Sequence, residues 1–152
     1  MSLTITPATL ADIPALCRLL DRLFTQEAEF QSDRAAQERG LTAIISQPHV
    51  GHILVARQDD ETVGMVNLLY TVSTALGGRV ALLEDMVIAS EVRGQGVGST
   101  LLAAAIDHAR QQGCLRITLL TDLDNHVAQA FYRKQGFNTS AMMPMRLMLP
   151  PA

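Results

Sequence analysis

The chain has 152 residues, 48% of them apolar and 18% charged, a composition that fits one folded domain with a sizeable core and excludes a disordered or collagen-like chain. Twelve Lys and Arg against fifteen Asp and Glu leave a formal net charge of −3, which argues against a nucleic-acid binder relying on a broad positive field. Aromatic residues are scarce, with four Phe, two Tyr and no Trp, and Phe131, Tyr132 and Phe137 fall close together.

The apolar runs stop well short of the ~20 residues a bilayer span needs, and the N-terminus lacks a basic segment followed by an apolar one. A cytoplasmic protein without membrane partners is therefore expected. Cys17 and Cys114 lie far apart with no C-x-x-C pattern, and His49, His52, His108 and His126 show no ligand spacing. The two cysteines read as buried free thiols, and no metal is expected.

No repeat, charge block or low-complexity linker divides residues 1–152, so one domain is expected throughout. Residues 3–6 alternate as a short strand. Asp12 is read as the N-cap of a helix carrying Ile13, Leu16, Leu20 and Leu23 on one face. Ser32 or Asp33 caps a second helix to about Ser46, before Pro48. The period then changes to that of strands: residues 52–57, a turn at Asp59 and Asp60, and residues 62–72 form an antiparallel pair. Residues 79–89 read as a central strand. A glycine-rich loop from Ser90 to Gly98 then opens a helix to about Gln112, with Leu101, Leu102, Ala105, Ile106 and Ala109 inward. A strand at 115–121, a short helix at 125–135, and strands from Phe137 and over 145–149 complete the chain. The result is an α/β fold: a mixed, mainly antiparallel sheet of about seven strands with four helices. A right-handed crossover lays strands 79–89 and 115–121 parallel at its centre.

The loop Arg93-Gly94-Gln95-Gly96-Val97-Gly98-Ser99 joins a strand to a helix. Glycines there let successive N–H groups turn toward one anion, and the helix N-terminus adds its dipole, so a phosphate or pyrophosphate suits it. No Lys follows as a Walker loop requires, and G-x-G-x-x-G fails at its third glycine from either start.

The pattern R-x-x-G-x-G at Arg93, Gly96 and Gly98, followed by N-x-x-A-x-x-F-Y at Asn125, Ala128, Phe131 and Tyr132 and by G-F at 136 and 137, resembles the GNAT superfamily of N-acetyltransferases. The strand residues Leu83, Glu84 and Asp85 resemble its diamine-acetyltransferase branch. The likeness is strong over about residues 79–140 and extends to element order before that. It implies acetyl-CoA as co-substrate, with Arg93 and the amides of Gly94, Gln95, Gly96, Val97, Gly98 and Ser99 on the pyrophosphate. Met86, Val87 and Ile88 would offer backbone to the pantetheine arm where this strand splays from the next, and Ala128 belongs to the same cofactor motif. Asn125 either caps its helix or bonds the arm.

Acetyl transfer from a thioester to an amine needs the amine deprotonated, an oxyanion held and the thiolate protonated. An alkyl amine of pKa about 10.4 is neutral in only about one part in 2,500 at pH 7, so a base helps. Glu84 and Asp85 interrupt an apolar strand, and consecutive strand residues point to opposite faces. The resemblance implies Glu84 as the base, directly or through water, with Asp85 tied to backbone or a basic side chain. The alternative is that both are structural or act on the amine only electrostatically. Tyr132 matches the family's general acid near the sulfur. A backbone N–H near Val87 would hold the oxyanion. Neither Cys has catalytic neighbours, so direct transfer in a ternary complex is expected, onto a primary amine of a small molecule or peptide.

The acceptor pocket is expected from residues 20–47, 71–79 and 138–149. Glu27, Glu29, Asp33 and Glu38 suit a cationic amine, although a solvated helix face explains the same charges. Met142, Met143, Met145 and Met148 line an adaptable pocket or pack in the core. The competing function is a non-catalytic acyl-CoA-binding regulatory module on the same fold. A homodimer joined through the C-terminal strands is a further expectation, and nucleic acid is not expected as a partner.

Overall fold

β1 (Leu3–Pro7) opens the chain and pairs antiparallel with β2 (Gly51–Gln58). The computed structural model describes residues 2–26 and 33–151. Between the two strands run a short 3-10 turn at Leu10–Asp12, α1 (Ile13–Gln26) and α2 (Arg34–Ile45). Asp12 is not the N-cap expected of it. Thr9 caps the turn, and the Asp12 carboxylate accepts the Thr9 N–H at 2.8 Å and an Arg57 N–H at 2.7 Å. Asp33 does cap α2, accepting the Ala36 N–H at 3.2 Å.

β3 (Glu61–Ser73) follows β2 through a two-residue turn in which Asp59 and Asp60 both take positive φ, the geometry that matches the twist of a hairpin. β4 (Gly78–Ile88) continues the meander, and α3 (Val97–Gln111) crosses to β5 (Ile117–Leu119), which lies parallel to β4. α4 (His126–Lys134) comes last. The sheet order is β1-β2-β3-β4-β5.

Six consecutive residues of β3, Val63 to Leu68, are buried, so both faces of the sheet are covered. On one face Leu101 of α3 lies 3.3 Å from where a Gly64 Cβ would sit. On the other, Asn67 and Leu69 face a cavity shared with α1 and α2. Leu16, Leu20, Met65, Leu68, Leu101, Leu102 and Ala105 are buried between these layers, as is Cys17, whereas Cys114 is half-buried.

Among the described residues the sheet has five strands rather than about seven. Residues 137–151 form no strand, and Met142, Met145 and Leu147 are 87%, 89% and 83% exposed. Met143 and Met148 are exposed as well, so these four methionines do not pack in the core. Alternating apolar residues make a strand only where a neighbouring edge accepts their ladder, and β5 is three residues long rather than seven. Among the described residues no helix is long and apolar enough to cross a membrane.

Candidate active site

The site is organised by one irregularity in the β3–β4 ladder. Asn67 pairs with Asp85 but Leu68 pairs with Leu83, so Glu84 is the extra residue of a β-bulge. The bulge cancels the strand alternation at this point. Glu84 and Asp85, expected on opposite faces, therefore line the same cavity of about 430 Å³.

The bulge also turns the backbone. Upstream of it, Arg79 and Ala81 direct their backbone toward β5, with Leu115 N–H donating to Arg79 O at 2.8 Å and Ala81 N–H to Arg116 O at 2.9 Å. Downstream, Ala89 N–H donates to Val63 O at 2.8 Å. By alternation Val87 then faces β3, and the backbone groups of Met86 and Ile88 face the β5 side. β4 and β5 are paired only from Ala81 to Leu83, so those groups open onto a gap between diverging strands. Val87 itself is buried.

Beyond β4, the buried Val92 and Val97 anchor the ends of an exposed loop. Gly94 and Gly96 hold φ of 81° and 82°, a region open to glycine at no steric cost. The first helical bond of α3 is Thr100 N–H to Gly96 O at 3.1 Å, so the amides of Val97, Gly98 and Ser99 precede the helical ladder as free donors. Arg93 and Gln95 are exposed on the same loop. The residues suit a pyrophosphate, and the two positive-φ glycines leave their Cβ directions open.

α4 is held against this loop. Phe131 lies 3.4 Å from where a Gly98 Cβ would sit, beside Ile88, and it stacks edge-on with Tyr132 at 5.3 Å, which in turn meets Phe137 at 5.7 Å. The aromatic cluster thus fixes the helix that carries Tyr132. Burial pushes the Tyr132 phenol above its ordinary value, so it is protonated at neutral pH. Asn125 caps α4, its Oδ1 accepting the Ala128 N–H at 3.1 Å, which leaves its Nδ2 donors for another contact. Ala128 is half-buried.

Asp85 is pushed up to about 6, chiefly by burial; the Asn67 hydrogen bond at 3.3 Å opposes this and the Glu84 charge adds to it. Its partner is the side-chain amide of Asn67, not the backbone group or basic side chain expected. Glu84 is exposed at the cavity. Leu20, Leu41, Ile44 and Leu69 supply the apolar wall, and Asp33 and Gln37 line the helical side. Residues 71–79 and 138–149 do not line it. Glu38 pairs with Arg34 on the surface at 3.2 Å, while Glu27 and Glu29 lie outside the described residues. Asn67 and Gln37 went unread in the sequence, although an Asn inside the apolar run Val66 to Leu69 is itself a signal.

The model of the acetyltransferase (GNAT) family matches residues 13–137. The uncharacterized N-acetyltransferase YhfO of Bacillus subtilis (strain 168) is 34% identical over 118 residues, 76% of this chain and 78% of that protein. The aminoalkylphosphonate N-acetyltransferase of Salmonella typhimurium is 30% identical over 133 residues, 88% of this chain and 83% of that protein. A solved structure of a probable acetyltransferase superposes with a TM-score of 0.82 at 27% identity, covering 98% of this chain and 99% of that one. A bulged β4, a gap toward β5, a glycine-rich loop at the head of α3 and these relatives agree: the chain belongs to the GNAT family and is an N-acetyltransferase.

Proposed function

We propose that the protein moves an acetyl group from acetyl-CoA directly to a primary amine of a small molecule or peptide, with no acetyl-enzyme. The observation that carries this reading is the bulge at Glu84, because one irregularity both opens the β4 backbone to the β5 gap and brings two carboxylates to one cavity. The bound thioester supplies an activated acetyl carbonyl.

Arg93 and the amides of Gly94 and of Gly96 to Ser99 hold the pyrophosphate, the latter as a nest of donors at a helix N-terminus, whereas the Gln95 N–H donates to Val92 O at 3.3 Å within the loop. Met86 and Ile88 offer N–H and C=O to the pantetheine amides, with Val87 buried between them and Asn125 Nδ2 and Ala128 across the gap. The amine loses its proton to the Glu84–Asp85 pair, Glu84 acting directly or through water and Asp85 raising the proton affinity of the site. As the C–N bond forms and the C–S bond breaks, a β4 amide beside Val87 donates to the carbonyl oxygen. Tyr132 gives its proton to the departing sulfur, and the products are an N-acetylamine and CoA. Cys17 is buried and its thiol is pushed up by burial, which supports direct transfer.

We infer also that two copies associate through residues 138–149, because a soluble chain seldom leaves so many adjacent large apolar side chains in water. The experiment for the activity is CoA release from acetyl-CoA against a panel of amines, with a melting-temperature shift by acetyl-CoA alone as the binding control.

A further inference from the structure

Two histidines far apart in sequence meet between α3 and the sheet. His52 of β2 and His108 of α3 pack edge to face, with ring centroids 4.6 Å apart. His52 Nδ1 lies 2.6 Å from the Tyr70 hydroxyl of β3, and the Arg79 guanidinium of β4 sits 5.0 Å from the centre of the Tyr70 ring. Cys114, just past the end of α3, lies close enough to Tyr70 to bear on its charge. All five side chains are half-buried, and acetyl transfer uses none of them. His108 stands in the last turn of the helix that begins at Val97, so the cluster seats the far end of the element whose first turn offers the loop amides.

The cluster suits neutral rings. Burial pushes Tyr70 up to about 12, so its hydroxyl keeps its proton and donates to His52 Nδ1, which leaves the ring proton of His52 on Nε2. A second proton would sit on Nδ1, the hydroxyl would have to accept instead, and the new charge would face Arg79 and His108. His108 Nε2 is buried with no partner among the described residues, so an imidazolium there carries a charged donor that nothing receives. Burial first, then His108 and Arg79, hold His52 below the ordinary histidine value of 6.5, and burial does the same to His108. Neither Tyr70 nor Cys114 supplies a compensating negative charge, since burial raises both. Asp107, beside His108 on α3, pairs with Arg110 on the surface at 3.1 Å.

We propose that His52, Tyr70 and His108 form an acid-sensitive latch, which seats the C-terminal half of α3 on β2 and β3 while the rings are neutral and releases it when either ring is charged. The latch is independent of the acetyl-transfer reading. With α3 lifted, both rings meet water and take protons from about pH 6.5 downward, whereas the seated helix resists them. The latch is therefore closed above that pH and loosens as pH falls below it. Asp85 titrates with the opposite sign near about 6, so the stability of the whole chain does not isolate the latch, and local opening of α3 does.

The test is hydrogen exchange of the full chain at pH 7.5 and 5.5, corrected for the intrinsic pH dependence of exchange, over Ile106 to Gln111. Protection there is expected to fall about tenfold at the lower pH. In a chain carrying His52→Asn, whose Oδ1 still accepts the Tyr70 hydroxyl, together with His108→Leu, the fall is expected to vanish. Titration of the ring protons by NMR in the unaltered chain gives a second reading. His52 and His108 are expected to take protons below pH 6.5, over the range in which α3 loses protection, and His108→Leu alone is expected to raise the His52 midpoint. Unchanged protection in the parent, an equal fall in the double variant, or rings that titrate at or above 6.5 overturns the latch.

Discussion

Asn67 and Asp85 face each other across β3 and β4, Nδ2 to Oδ2 at 3.3 Å, at the step where the ladder slips past Glu84. The pair joins a fold irregularity to a proton affinity. Burial drives Asp85 up to about 6, and the Asn67 hydrogen bond to the charged form holds it from rising further. The rate of acetyl transfer is therefore expected to fall as pH drops through about 6. Asn67→Leu removes the restraining bond, so the acidic limb moves to higher pH. A pH–rate profile of kcat/KM for the two proteins measures this, and an unmoved limb would remove Asp85 from the proton path.

The same shift has a stability sign. Asp85 ionises near 3.8 when unfolded and near about 6 when folded, so below pH 3.8 it adds no penalty, and the penalty grows until pH passes about 6. Above that it amounts to as much as about 3 kcal/mol. Asp85→Asn is expected to be more stable than the parent at pH 8 by some part of this and no more stable at pH 3.5, as read from urea midpoints.

Tyr132→Phe keeps the ring contacts with Phe131 and Phe137 and removes only the hydroxyl. The expected result is a kcat lower by about a hundredfold with the acetyl-CoA melting shift intact. A loss of acetyl-CoA binding instead would make Tyr132 a packing or binding residue.

Gly96 sits at φ 82° immediately before α3, and a Cβ there would touch nothing within 4 Å. Any effect of Gly96→Ala is thus conformational, costing about 1–2 kcal/mol for an L residue in the left-handed region. Denaturation should show that loss, and the acetyl-CoA shift should shrink with it because the same φ aims the loop amides.

These last two positions were readable in advance because loop, capping and helix signals are local: Asp33, Asn125, the glycines and the Phe131–Tyr132–Phe137 cluster all stand where their spacing puts them. The bulge was not readable. Residue-by-residue alternation sends Glu84 and Asp85 to opposite faces, and only the partner strand reveals that Leu68 skips to Leu83. The amide oxygens of Gln37 and Asn67, buried with no hydrogen-bond partner among the described residues, belong to the same class, since an unmet hydrogen bond is a property of three-dimensional neighbours. The C-terminal strands failed for the opposite reason: residues 145–149 carry the right pattern, but a ladder needs an edge that β5 is too short to offer.

That unpaired segment yields a prediction of its own. The full chain is expected to sediment as a dimer, and a chain ending at Phe137 as a monomer. A monomeric full chain would leave the exposed Met145 and Leu147 unexplained and would overturn the association through residues 138–149.

Direct transfer from acetyl-CoA to an amine at the Glu84 bulge is tested most plainly by mass spectrometry of all products from one reaction with a primary amine that supports CoA release. The account predicts N-acetylated amine and free CoA in equal amounts, no acetylated protein, and no CoA released when the amine is omitted. Stoichiometric CoA release without acceptor, with the acetyl group left on a cysteine, would contradict it.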